Sequence, residues 1–148
     1  MAAPQALTKD ASVVSKGAKD ILRFRVTPSN LVFRNAIVTI PETTDCVVPA
    51  PTGGYGAGPA QHRAGIARTR GDAVTTPVNV YVEVYTQGIF LLESFVDLVQ
   101  SDVGKQFYAT SDKMITNIPA TNTLLGTITK IVNTSWAWVK LLPFGVQS

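Results

Sequence analysis

Between residues 77 and 86 the chain reads Pro-Val-Asn-Val-Tyr-Val-Glu-Val-Tyr-Thr. Val78, Val80, Val82 and Val84 alternate with Asn79, Tyr81, Glu83 and Tyr85. In an extended strand a period of two sends the valines to one side and the other four residues to the opposite side. A helix would scatter both sets around its axis. The stretch is therefore read as a strand with a buried valine face, and it requires a sheet to pack against.

The same grammar recurs downstream. In Ser135–Leu142, Trp136, Trp138 and Lys140 alternate with Ala137, Val139 and Leu141, and Pro143 ends the run. Ala64–Arg68, Ile89–Ser94, Gln106–Ala109, Met114–Ile118 and Leu124–Val132 are further short strands, and Phe95–Gln100 is the one stretch compatible with a helical turn. Arg70-Gly71-Asp72 reads as a turn between two strands. Short strands at spacings of about 8–12 residues point to an all-β fold, a small barrel or sandwich. Upstream, Leu22, Phe24 and Val26 alternate with Arg23 and Arg25, and Pro28-Ser29-Asn30 turns the chain into a β-rich run over Asn30–Ile40. Pro41, Pro49, Pro51 and Pro59 with Gly53, Gly54, Gly56 and Gly58 then mark a long irregular loop over 41–63. The expected organisation has three parts: a flexible N-terminal arm over 1–20, a β embellishment with its long loop over 21–63, and a compact β body over 64–148.

Charge limits what such a body does. Hydrophobic residues make up 45% of the 148 and charged ones 16%, against about 25% charged in a typical domain. Such a chain buries a core and keeps little surface charge, which suits a protein packed against partners. The net charge of +3 is too mild, and its basic residues too dispersed, to argue for nucleic acid. What bias exists lies in residues 1–34. There Lys9, Lys16, Lys19, Arg23, Arg25 and Arg34 face two carboxylates, Asp10 and Asp20, a balance of +4. A lone cysteine, Cys46, allows no internal disulfide. Neither an apolar leader nor an apolar run of about 20 residues, as a bilayer span needs, is visible, so a soluble protein made in the cytoplasm is expected, with no membrane partner.

Catalytic parts are few. Cys46 and His62 share the 41–63 loop, and a thiol–imidazole pair is the one nucleophilic arrangement to consider. A single Cys and a single His give no zinc spacing, and the acids are too scattered for a calcium loop. Gly53-Gly54-Tyr55-Gly56-Ala57-Gly58 lacks the Lys-Ser/Thr ending of a phosphate loop. The expectation is therefore no enzyme, no metal and no cofactor. Tyr81, Tyr85, Trp136 and Trp138 form aromatic rows suited to an oligomer interface or a core, or, if exposed, to stacking on sugar rings.

Segment 64–143 carries a resemblance. It runs from Ala64-Gly65-Ile66-Ala67 through the valine strand to Gln87-Gly88-Ile89, Asp102-Val103-Gly104-Lys105-Gln106-Phe107-Tyr108 and Met114-Ile115-Thr116, and then through Leu124-Leu125-Gly126-Thr127-Ile128 to Trp138-Val139-Lys140-Leu141-Leu142-Pro143. This order and spacing resemble the small β-tulip capsid decoration (cement) proteins of tailed bacteriophages. The Gly-Asp turn of that family stands here as Asp102-Val103-Gly104-Lys105, and Thr127, Thr129 and Lys130 replace its usual small residues. The resemblance implies a structural virion protein on the capsid surface, a homo-oligomer, commonly a trimer, that binds the major capsid protein and braces the mature shell. Lys9, Lys16, Lys19, Arg23 and Arg25 are then the expected capsid contacts. The alternatives are a phage tail, baseplate or head-fibre component, and a carbohydrate-binding β module with the four aromatics as its platform.

Overall fold

The computed structural model describes residues 4–12, 14–16, 19–75 and 79–142. Pro77 and Val78 of the alternating run, and Pro143, lie outside them. Among the described residues there is no α-helix, and the chain is all-β. Its strands are β1 (Ser15–Lys16), β2 (Ile21–Arg25), β3 (Leu31–Val32), β4 (Ile37–Pro41), β5 (Val48–Pro49), β6 (Gln61–Ala67), β7 (Gly71–Asp72) and β8 (Tyr81–Tyr85). After these come β9 (Ile89–Ser94), β10 (Gln106–Ala109), β11 (Met114–Thr116), β12 (Thr123–Ile131) and β13 (Trp136–Leu141).

The later strands close into a barrel. β9, β11, β10, β12 and β13 pair in that order, and β13 pairs back onto β9. All these pairings are antiparallel except β9–β11, which spans two register pairs, Met114 with Glu93 and Ile115 with Ser94. β1 takes the other end of the same β9 edge, setting Ser15 against Phe90 and Lys16 against Ile89. Closure removes free edges, and alternation along each strand fills the interior with Phe90, Leu92, Phe107, Ile115, Leu125, Ile128, Val139 and Leu141.

The earlier strands make an antiparallel sheet in the order β2-β8-β6-β4-β5, whose two ends are tied by a bridge between Val26 and Val47. β3 and β7 form a separate ribbon. A second core of smaller side chains, Val26, Val32, Val38, Val47, Ala64, Ala67, Val82 and Val84, lies against this sheet. β4 and β6 serve both cores. Ile37 and Ile66 belong to the barrel cluster, while their neighbours Val38 and Ala67 belong to the second. Strands buried on both faces read as near-continuous apolar runs, as Ala36-Ile37-Val38 does.

Several expectations are corrected. The division at residue 64 runs through β6, which pairs with β4 from Gln61 to Ile66 and with β8 at Ile66 and Ala67; the sheet thus mixes residues from both sides of it, and the barrel begins only at Ile89. The 41–63 loop contains β5, where Pro49 is tolerated because β5 is an edge strand, and it ends at Gln61. The described part of the N-terminal arm lies bonded along the body: Ala11 N–H donates to Arg34 O at 3.0 Å, and Leu91 N–H to Val14 O at 2.9 Å. Helical geometry falls at Gln100–Asp102 rather than 95–100, because the Asp102 carboxylate accepts the Val99 N–H at 2.9 Å. Gly71–Asp72 is strand rather than turn. A side chain at Gly71 would collide with Val82 and Val26 of the second core.

Gly65 accommodates an irregularity in the pairing of β6 with β4 where β8 comes close on the other side. Its φ is +144°, the register against β4 slips beside it, and a Cβ there would overlap the Tyr85 carbonyl. Backbone strain of this kind costs about 1–3 kcal/mol, with a comparable amount for the forced shift of β8. Gly65→Ala is therefore expected to lower unfolding stability by about 2–4 kcal/mol in urea titration; an unchanged midpoint would mean that β8 moves aside freely.

Candidate functional site

With Val82 and Val84 in the second core, parity places Tyr81, Glu83 and Tyr85 on the outer face of β8. β2 lies antiparallel beside it, with Arg25 opposite Tyr81, Arg23 opposite Glu83 and Ile21 opposite Tyr85. These three residues share that outer face. The Arg23 guanidinium stands 4.2 Å from the Tyr81 ring centroid, and Lys19 Nζ 5.9 Å from that of Tyr85. On the barrel, Lys16 Nζ stands 4.4 Å from the Trp138 centroid. Glu83 accepts a 2.9 Å bond from Arg68 Nη1.

Three of the five expected contact cations thus lie over three of the four expected aromatics, a pairing worth about 0.5–1 kcal/mol each at exposed sites. The sequence does not reveal these pairs, because partners such as Lys16 and Trp138 are far apart along the chain. Lys9 and Arg25 are exposed. Tyr81 is 43% and Trp136 37% exposed, so neither is core. Tyr85 packs partly against the barrel cluster, its ring 5.7 Å from that of Phe90.

Asp112, which the sequence does not single out, holds the arm. Its Oδ1 accepts the Leu7 N–H at 2.8 Å, and its backbone carbonyl accepts the Ile37 N–H. Asp10 accepts the Arg34 N–H at 2.9 Å, and Asn35 Nδ2 donates to Ala11 O at 2.6 Å. Between arm and body remains a cavity of about 110 Å³ bordered by Leu7, Ile37, Leu92, Asp112 and Trp136. Burial pushes the Asp112 carboxyl above its ordinary range, and the Leu7 N–H only partly offsets this.

The residues considered for catalysis have other partners. His62 Nε2 lies 3.6 Å from Glu42 Oε1, in an open polar cleft of about 360 Å³ that Tyr55 and Tyr108 also line. Burial and the neighbouring Asp45 raise the Cys46 thiol pKa, with Arg25 acting weakly in the other direction; a nucleophilic sulfur needs the reverse. The glycine loop is fastened to the barrel, with Gly53 N–H donating to Thr110 O and Tyr55 N–H to Thr121 O. Asp72 accepts bonds from the backbone of Val74 and Thr75 and from the Thr75 hydroxyl. These bonds hold its carboxyl below the usual range and commit the aspartate of the Arg-Gly-Asp run to the turn that follows it at 73–75. Among the described residues no three His, Cys, Asp or Glu side chains gather as metal ligands do.

No protein-family model matches the chain, and no curated protein matches it.

Two measurements test this geometry. A carboxyl raised in the folded state contributes most below its unfolded pKa, and that contribution is lost as pH rises through the folded value. Asp112→Asn is thus expected to melt higher than wild type at pH 7, with the gap closing as pH falls through the carboxylate range. A gap independent of pH would remove the burial argument. For the stacked pairs, a double-mutant cycle with Lys16→Ala and Trp138→Ala is expected to give a coupling of about 0.5–1 kcal/mol, and strict additivity would show that the stack contributes nothing.

Proposed function

We propose that this protein is a structural component of a tailed-phage virion, a decoration protein that binds the outer surface of the capsid through the major capsid protein and stabilises the mature shell. The observation that carries this reading is the set of three cation–aromatic pairs, Lys16 over Trp138, Lys19 over Tyr85 and Arg23 over Tyr81. Arginine and large aromatics are enriched in protein interfaces, where flat rings supply area and cations supply register. The closed barrel with its appended sheet is consistent with the β-tulip resemblance of segment 64–143. A body in which two cores share β4 and β6 is suited to bearing load. The mechanism is binding energy alone: a protein that binds only the expanded lattice stabilises it by mass action.

A trimer is the state proposed, since apolar side chains such as Val99, Val103, Ile118 and Val132 stay exposed on the single chain. The carbohydrate alternative is less well supported, because cations already lie over the rings a sugar would stack on.

Immunogold labelling of particles from the source lysate tests the location. Gold on heads is the expected outcome; gold on tails or baseplates would favour the tail reading, and unlabelled particles would sink both. Light scattering of the purified protein is expected to give three times the chain mass, and a stable monomer at micromolar concentration would count against the trimer.

A further inference from the structure

β2 ends its sheet, with one ladder filled and, among the described residues, part of the other open. Thr86 N–H donates to Asp20 O at 2.9 Å, and Val26 N–H donates to Val80 O at 2.8 Å. In an antiparallel pair the bonded positions alternate, so residues 20, 22, 24 and 26 bond to β8, and the backbone groups of Ile21, Arg23 and Arg25 point away from it. At the far end this outer edge is occupied, because Val47 N–H donates to Arg25 O and Thr27 N–H to Val47 O. Upstream, the N–H and C=O of Ile21 and Arg23 form no hydrogen bond among the described residues. Ile21 and Leu22 are 42% and 44% exposed, one on each face. An open edge flanked by exposed apolar side chains is a template for another strand.

The side chains limit which strand fits. A second copy of β2, laid antiparallel about its centre, would set Arg23 against Arg23, and like charges directly opposite are destabilising. An added strand with Asp or Glu on the outer face would meet Arg23 and Arg25. Its alternate residues would fall on the Leu22 side, where an apolar side chain extends the second core. We infer that the outer edge of β2 at Ile21–Arg23 takes an extended segment of a partner protein in which acidic and apolar residues alternate. Main-chain bonds supply the affinity of such strand addition, and the alternating side chains supply the selectivity. The inference goes beyond the capsid reading and stands without it, since any protein offering such a segment would fit.

The test uses the full chain and two synthetic peptides, Thr-Glu-Val-Glu-Val-Glu-Thr and its counterpart with Lys at each Glu, both capped at their ends. The Glu peptide is expected to slow amide exchange at Ile21 and Arg23, leave the protected amides of Leu22 and Phe24 unchanged, and bind about tenfold more tightly than the Lys peptide. Ile21→Pro removes one outward N–H, leaves the β8 ladder intact and keeps both arginines; it is expected to weaken the Glu peptide about tenfold. Arg23→Glu with Arg25→Glu is expected to reverse the preference between the peptides. Equal binding of the two peptides, no detectable binding of the Glu peptide at millimolar concentration, or binding that leaves the Ile21 and Arg23 amides exchanging as before would overturn the inference. The exchange measurement is made on the wild-type chain, so it decides the matter even if a variant misfolds.

Discussion

Everything in this molecule hangs on β4 and β6 being buried on both faces. A strand that lines one core can leave its other side to water, and β8 does so at Tyr81. β4 and β6 have no such side: Ile37 and Ile66 help fill the barrel cluster while Val38 and Ala67 fill the other. One backbone therefore fixes the distance between two cores. A shift of either strand by one residue would exchange isoleucine for valine or alanine in both. The size difference between the cores follows, because the second is lined almost wholly by Val and Ala where the barrel holds two phenylalanines.

This arrangement also explains why some of the fold is legible in the sequence and some is not. β8 and β13 alternate cleanly because each buries one face more deeply than the other, and their buried aliphatic and partly exposed aromatic residues follow the period of two. β4 gives no such alternation, so Ile37-Val38-Thr39-Ile40 identifies a strand without saying what lies on either side. The 41–63 loop hides β5 behind Pro49, a residue that ordinarily argues against a strand and is harmless on an edge. The parallel contact of β9 with β11 and the docking of Leu7 on Asp112 join distant segments, and local pattern carries no information about either.

The candidate face has the same split. That the aromatics stand in rows is plain from spacing alone; that Lys16, Lys19 and Arg23 lie over three of them depends on where the arm runs. A chain so poor in charge uses its cations sparingly, and here they hold the N-terminal region against the body while leaving their outer sides to solvent. A contact built this way combines ring area with positive charge, and it is sensitive to salt only in part, because the apolar area beneath is not screened.

The barrel seam has a consequence for the order of assembly. β9 offers one edge to two strands, β11 near its end and β1 near its beginning. During synthesis Ser15 and Lys16 emerge long before Ile89 and Phe90 exist, so the earliest strand must wait for its edge. Non-local pairings of this kind slow folding, since the loop between the partners has to be closed before any contact rewards it. This segment is therefore made well before its partner, and until it docks, the Ile89–Phe90 stretch of β9 keeps an edge that a neighbouring chain can reach.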